Sequence, residues 1–307
     1  MTSVTAVVVT YNRRDLLAEC LDAIAVQTSA PSRVIVVDNA STDGTDALLA
    51  DRGDVDVVAL AHNTGGAGGF AAGIVAFLDR TAEATWLLDD DTIPEPDALA
   101  ELLRARDGYP GRRPAVVASR VVWTDGRDHP MNTPRTRPRA TREEIDAAAS
   151  VGGRPIRSAS FVSILLDREA VEAVGLPVAA YFLWNDDFEY TTRLLRDRPG
   201  LAVPTSVAVH KTRVFGSTDA DPGERFFYEV RNKIWMFTRS DSLAPVEKVL
   251  YGGATLNRWA HTFQGSANRG VLVEAAGRGV AAARQPPAPT AEVLTQAATP
   301  PTGLASP

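Results

Sequence analysis

Residues 85–92 read TWLLDDDT, a short apolar run that stops at three consecutive acids. Thr85–Leu88 predicts a strand, and its end at Asp89 puts charge at the carboxyl edge, where open α/β sheets bind their ligands. Toward the amino terminus, Val4–Thr10 (VTAVVVT) is a continuous β-branched run, the pattern of a strand covered on both faces of a parallel sheet. Asp15–Ala25 places Leu16, Leu17, Cys20, Leu21 and Ile24 at helical spacing, with Asp15 near the cap. Val34–Val37 (VIVV) predicts a second buried strand ending at Asp38. A turn and a short helix over Thr45–Arg52 follow, then a third strand over Val55–Leu60.

Toward the carboxyl terminus, Glu95–Arg106 reads as helix and Ala115–Trp123 as strand. Strands alternating with helices, without an internal repeat, predict an α/β fold with a mostly parallel central sheet. Asp125–Gly153, with prolines at 130, 134 and 138, is expected to leave the sheet and cross one face. Ser160–Leu166 resumes a strand, and Arg168–Val174 is a helix closed by Gly175. Tyr181–Arg196 holds Asp186 and Asp187 and runs into a helix, Leu201–His210 is a strand, and Glu224–Arg239 is a helix. The expected organisation is one domain over 1–240, a helical segment over 241–283, and a disordered Pro/Ala-rich tail over 284–307.

A chain of 307 residues can bury one large core, with or without a small appended subdomain. The net charge of -6 argues against a nucleic-acid partner. Between Arg104 and Arg157, however, twelve arginines face six acids. That local excess suits a phosphate-bearing substrate, an anionic membrane surface, or a merely solvated insertion. Cys20 is the only cysteine, so no internal disulfide forms and a reducing compartment fits. No apolar run approaches the roughly 20 residues needed to span a bilayer, and Met1–Thr10 lacks a basic leader. The expected location is the cytoplasm, with any membrane contact peripheral. An oligomer is compatible with everything in the sequence.

The chemistry concentrates at strand ends. Asp38 can accept hydrogen bonds from a base or ribose, or simply shape the turn DNAS. Asp89, Asp90 and Asp91 repel one another unless a cation or donor groups neutralise them. Oxygen ligands suit Mg²⁺ or Mn²⁺, and an acidic loop capping the next helix is the plain alternative. One carboxylate of Asp186–Asp187 could deprotonate an attacking hydroxyl, and the pair could equally cap the helix that follows. His210, ending VAVH, offers a nitrogen ligand, or is a satisfied core histidine. The stretch Asn63–Gly73 (NTGGAGGFAAG) matches neither a dinucleotide fingerprint nor a P-loop. Its glycines would permit either a close approach to a diphosphate or close helix packing.

Five motifs occur in one order: VVVTYNR at 7–13, VVDNASTDGT at 36–45, NTGGAGGF at 63–70, LLDDDT at 87–92, and NDDFEY at 185–190 ahead of RLL. Together, over about residues 1–240, they resemble family 2 of the inverting glycosyltransferases, which have the GT-A fold. The triple Asp, NDDFEY, a histidine 23 residues after Asp187, and the later YEVRNK at 228–233 resemble most the bacterial galactofuranosyltransferases of cell-wall galactan, with rhamnosyltransferases next. The resemblance implies a donor-binding half over 1–123 and an acceptor and catalytic half over 124–240. Thr10, Tyr11, Arg13, Asp38 and Asn63 would line the uridine and diphosphate pocket of a UDP-sugar. Asp89, Asp91 and His210 would hold the divalent ion, with Asp90 against the ribose or donor sugar. Asp187 would be the base, Asp186 would help hold the acceptor, and Trp184 would stack on an acceptor sugar unless it is a core tryptophan. The size fits an initiating enzyme acting on a lipid-linked saccharide at the inner membrane face. The competing readings are a metal-dependent nucleotidyltransferase or phosphotransferase, and a sugar-nucleotide-binding protein without catalysis.

Overall fold

The structure is a computed structural model, and it describes residues 2–216 and 221–299. Strand β1 (Val4–Thr10) is buried along its whole length, as its unbroken apolar sequence requires. Helix α1 (Arg14–Ala25), β2 (Arg33–Asp38), α2 (Thr45–Ala50), β3 (Asp56–Ala59), α3 (Gly65–Leu78) and β4 (Ala84–Asp89) follow. Strands β3, β2, β1 and β4 pair in that order, all parallel. Alternate residues of β1 serve opposite layers, as the period of two dictates. Val4, Ala6 and Val8 meet Leu17, Leu21 and Ile24 of α1, whereas Val7 and Val9 meet Phe70 and Ile74 of α3. Cys20 belongs to the α1 layer and is fully buried.

The glycine stretch is settled by this packing. A Cβ on Gly69 would lie 2.4 Å from Val9 Cγ1, and one on Gly73 would lie 2.3 Å from Val7 Cγ1. The two glycines are four residues apart, one helical turn, so α3 rests directly on the valines of β1. Gly65 has φ +71°, and a Cβ there would meet the carbonyl of Phe182 at 2.0 Å. Close packing is therefore what these glycines provide.

Past β4 come β5 (Thr92–Pro94), α4 (Ala98–Gly108), β6 (Val116–Val122), β7 (Arg135–Thr136), α5 (Arg142–Ser150), β8 (Arg154–Ser158), β9 (Ile164–Asp167), α6 (Arg168–Val174), α7 (Asp186–Leu194) and β10 (Gly200–His210). The sheet continues from β4 through β9, β6, β10 and β8 to β7. Strand β9 is antiparallel to both neighbours, β6 and β10 are parallel, and β8 is antiparallel to β10. The sheet is thus mixed, parallel through its first four strands and reversed at β9. The excursion after Asp125 also holds α5, whose start carries a capping box between Thr141 and Glu144.

The carboxyl-terminal region folds as α8 (Phe226–Arg239), α9 (Pro245–Gly265), α10 (Arg269–Ala283) and α11 (Thr290–Ala298). The last of these corrects the expectation of a disordered tail over 284–307. Helix α11 docks back on earlier parts of the chain: the Ala61 N–H donates to Ala297 O at 2.7 Å, and the Thr290 hydroxyl donates to Pro177 O at 2.7 Å. Ala297 is fully buried and Leu294 packs on the α3 layer. Proline and alanine dominate the average composition, yet Val293, Leu294 and Ala297 still make a small apolar face. Residues 300–307 of that expectation lie outside the described residues.

Candidate active site

The carboxyl ends of β1, β2 and β4 converge because the strands are adjacent and parallel: Thr10 is in register with Asp38, and Val9 with Asp89. Beyond β4 the chain turns and forms β5, a three-residue strand antiparallel to the end of β10, with Thr92 opposite His210. The Lys211 N–H donates to Asp91 O at 2.9 Å and closes that register. This pairing delivers a histidine more than a hundred residues away onto the acidic triplet. One ligand atom from each of Asp89, Asp91 and His210 lies within 4.8 Å of the others.

The donor set fits a divalent cation. His210 Nδ1 lies 2.8 Å from Asn132 Oδ1, and Asn132 Nδ2 donates to Ser160 Oγ at 3.0 Å. Asn132 therefore presents its carbonyl to the ring, and the proton belongs on Nδ1. The lone pair on Nε2 then faces Asp91 Oδ1 at 3.0 Å. That oxygen is buried, with no donor hydrogen aimed at it. Two electron pairs in contact call for a cation between them or a proton on Nε2. A ligating histidine held through its other nitrogen is the usual arrangement around bound metals. Asn132 and Ser160 escaped the sequence reading, since both lie in an irregular region without a motif.

Electrostatics point the same way. Burial pushes the Asp89 carboxyl well above its ordinary range, and Asp91, Asp90 and Asp186 push it further. Burial also raises Asp90, to about 6, against the pull of Arg13. For Asp91 burial is the largest influence, but with a proton on His210 Nε2 that ring and Arg13 outweigh it and hold the group below its usual value. Asp90 is tied within the protein: Oδ2 accepts from the Thr10 hydroxyl at 2.8 Å and from the Tyr11 N–H at 3.3 Å, and Oδ1 accepts from Arg13 at 3.1 Å. Thr10, Tyr11, Arg13 and Asp90 thus form one unit joining the ends of β1 and β4.

Asp38 and Asn63 both shape backbone. The Ser41 N–H donates to Asp38 Oδ1 at 3.0 Å, and the Gly65 N–H donates to Asn63 Oδ1 at 2.7 Å. The buried Asn39 links their two turns, donating to Gly65 O and accepting from the Thr64 N–H, each at 2.8 Å.

The acidic pair occupies the first turn of α7, and neither residue is at the N-cap position. Asn185 is the N-cap and its side chain makes no capping bond, although the Phe188 N–H of the first turn donates to Asp187 Oδ1 at 2.6 Å. Burial first, and Asp187 next, raise the Asp186 carboxyl to about 8. Burial raises Asp187 too, opposed by the Phe188 N–H and by Lys233 and Arg135. The Asp186 charge adds a small further push to the Asp89 carboxyl. The approach to the pair is strained, with Phe182, Trp184 and Asn185 at φ 63°, 65° and 66°. Non-glycine residues in that region cost about 1–3 kcal/mol each unless their surroundings hold them. Asn232 does so: its amide donates to the carbonyls of Tyr181, Leu183 and Trp184 at 2.9–3.0 Å. Arg231 adds bonds to Ala180 O and Tyr181 O. Two residues of YEVRNK therefore set the geometry of NDDFEY. Trp184 lies outside the core and is half-buried.

Comparison with known proteins bears on this geometry. Residues 5–175, more than half of the chain, match the sequence profile "Glycosyl transferase family 2". The chain belongs to that family. As a family 2 member it is a hexosyl-transferring glycosyltransferase, and its architecture is the GT-A-like fold. It is 30% identical over 223 residues to galactofuranosyltransferase GlfT1 of Mycolicibacterium smegmatis, covering 71% of this chain and 73% of that protein. Among solved structures it resembles TarS 1-349 of S. aureus in complex with UDP-GlcNAc, with a TM-score of 0.62 at 16% identity over 92% of this chain and 82% of that one. It also resembles the mannosyltransferase PcManGT of Pyrobaculum calidifontis in complex with GDP-Man and Mn²⁺, with a TM-score of 0.52 at 22% identity over 95% and 78%.

Proposed function

We propose that this glycosyltransferase moves galactofuranose from UDP-galactofuranose to a polyprenyl-diphosphate-linked saccharide, with inversion, in the synthesis of cell-wall galactan. The observation that carries the reading is the meeting of Asp89, Asp91 and His210 at the carboxyl edge of a family 2 fold. The galactofuranosyl choice rests on the 30% identity to GlfT1. Asp89, Asp91 and His210 would hold Mn²⁺ or Mg²⁺, which when bound supplies positive charge to a diphosphate leaving group. Thr10, Tyr11, Arg13, Asp38, Asn63 and Asp90 surround the nucleotide end in the half over 1–123. In the half over 124–240, Asp187 takes the proton from the acceptor hydroxyl as its oxygen attacks the anomeric carbon. Asp186 and Trp184 hold the acceptor in line. A single displacement leaves no sugar on the protein, so the anomeric configuration inverts.

Peripheral contact with the inner face of the membrane is part of the proposal, and helix α9 supports it. Val246, Val249, Leu250 and Leu256 recur on one side of that helix and are 56–75% exposed. No helix among the described residues is long and apolar enough to cross a bilayer. The arginine-rich segment gives less support than its composition suggests. Nine of its twelve arginines are ion-paired, among them Arg106 with Asp167 and Arg157 with Glu247.

The deciding experiment incubates the protein with UDP- and dTDP-sugars and Mn²⁺ or Mg²⁺, and follows nucleotide release with and without a lipid-linked disaccharide. Acceptor-dependent release of UDP from UDP-galactofuranose is expected. Preference for a dTDP-sugar would replace galactofuranose with rhamnose, and release from no donor would refute the reading.

A further inference from the structure

Lys233 of α8 is a largely buried cation with no acidic or hydrogen-bonding partner at its ammonium among the described residues. It is 7% exposed, and its ammonium makes neither a hydrogen bond nor an ion pair with any described residue. It lies 5.0 Å from the Phe188 ring and 6.0 Å from the Phe237 ring. The nearest acid on its own helix is Glu229, whose two oxygens are taken by Asn185 Nδ2 at 2.7 Å and Trp259 Nε1 at 3.1 Å. Asp187 faces it from α7. Two further cations act on Lys233. Arg135 of β7 sits 5.3 Å from the other contact of Lys233, the Phe188 ring. Arg258 of α9 acts on Lys233 through space, as Arg135 does. Both arginines are exposed, and neither guanidinium is ion-paired among the described residues.

Three cations against the single free acid Asp187 leave an excess of positive charge, and burial makes that costlier. Burial first, then Arg258 and Arg135, lowers the Lys233 ammonium to about 8, while Glu229 and Asp187 pull it upward. A further anion would neutralise that excess. Guanidinium forks suit an oxyanion that offers several oxygens, and an ammonium adds a point charge to the same group. An apolar wall adjoins the cluster, where Tyr251 of α9 meets Phe188 edge-on at 5.3 Å. Val249 and Leu250, strongly exposed, precede it on the helix.

We propose that Lys233, Arg135 and Arg258 form a subsite for a phosphoryl anion carried by the acceptor, beside the base Asp187. The inference rests on the reading of Asp187 given above and extends it. The subsite distinguishes an acceptor bearing a phosphate or diphosphate on a hydrocarbon from a neutral glycoside, and it orients the hydroxyl that Asp187 deprotonates. Lys233 completes the motif YEVRNK: Arg231 and Asn232 hold the loop ahead of Asp186, and Lys233 reads the acceptor.

The test uses the full chain saturated with UDP and Mg²⁺, so that the nucleotide end of the site is filled. Geranyl diphosphate is then titrated by calorimetry. The double variant Arg135→Gln/Arg258→Gln changes only exposed side chains and should bind it at least about tenfold more weakly, the scale of one lost charge-assisted hydrogen bond. Lys233→Gln should weaken binding similarly, and Lys233→Arg should recover part of the loss. In transfer assays, kcat/KM for a diphosphate-linked saccharide relative to its neutral alkyl glycoside should fall by the same factor in the double variant. Unchanged affinity for geranyl diphosphate in the double variant would overturn the proposal. So would an equal loss on charged and neutral acceptors, or a loss confined to UDP-sugar binding. Cation-dependent binding of geranyl diphosphate by a protein that transfers no sugar would uphold the subsite while removing the transferase reading of Asp187.

Discussion

Replacing Asn132 with alanine perturbs the proposed metal ligands without touching any of them. Asn132 is 6% exposed, accepts from His210 Nδ1 at 2.8 Å and donates to Ser160 Oγ at 3.0 Å. Without its carbonyl, the imidazole loses the bond that fixes which nitrogen carries the proton and which way the ring faces. Removing an outer partner of this kind costs about 10–100-fold in metal affinity. At 25 °C that range corresponds to roughly 1.4–2.7 kcal/mol. The loss of one bond and the stranding of a buried N–H, about 1–3 kcal/mol, are of the same size. Titration of Mn²⁺ into the UDP-bound protein by calorimetry should show the weaker affinity. The dependence of turnover on Mn²⁺ should move to higher concentration with much of the maximal rate retained. Asn132→Asp offers a carboxylate to the same N–H and should bind Mn²⁺ at least as well as the parent. Wild-type affinity in Asn132→Ala, or equal weakness in Asn132→Asp, would refute the assignment of His210 as a ligand held through Nδ1.

Asp187→Asn should fold and bind UDP as the parent does while losing on the order of 10²–10⁴ in transfer rate; near-normal turnover would remove it from the role of base. Asp186 titrates near 8 when folded against 3.8 ordinarily, so between those values the folded chain keeps a proton that the unfolded chain has lost. Stability should therefore fall as pH rises through that window, and metal-free Asp186→Asn should melt above the parent at alkaline pH and converge with it under acid. A gain that is the same at both ends would contradict this. Gly73→Ala places a methyl 2.3 Å from Val7 Cγ1 and should cost about 1–3 kcal/mol in urea unfolding, with no loss meaning that α3 stands further from β1 than described. The parent should float with anionic liposomes and Val249→Glu/Leu250→Glu should not; equal flotation would take α9 out of the membrane contact.

Much of the candidate metal centre was legible in the chain itself. Buried parallel strands are contiguous apolar runs, and such runs end visibly, so Asp38 and Asp89 could be placed on the ligand edge before any coordinates. Thr10, at the end of VTAVVVT, follows from the same logic. His210 could be placed at the end of its strand, but its meeting with Asp91 depends on β5, three residues with no periodic signal of their own. Motif order alone paired them in advance.

The roles of the residues that support the site could not be read for a different reason, even where, as in YEVRNK, a motif marked the place. Asn132 lies in an irregular excursion, and Asn232 and Lys233 sit inside a helix whose pattern reports only which face is apolar. Their importance comes from what they approach: the His210 ring, three carbonyls of a left-handed loop, and the ring of Phe188. The tail erred through averaging, since abundant proline and alanine hid the small face of Val293, Leu294 and Ala297 that seats α11. Periodicity and strand termini are properties of neighbouring residues and are written in order along the chain. Which distant side chains share a cation, and which charges are left without partners, depends on packing between elements, and only the folded structure decides it.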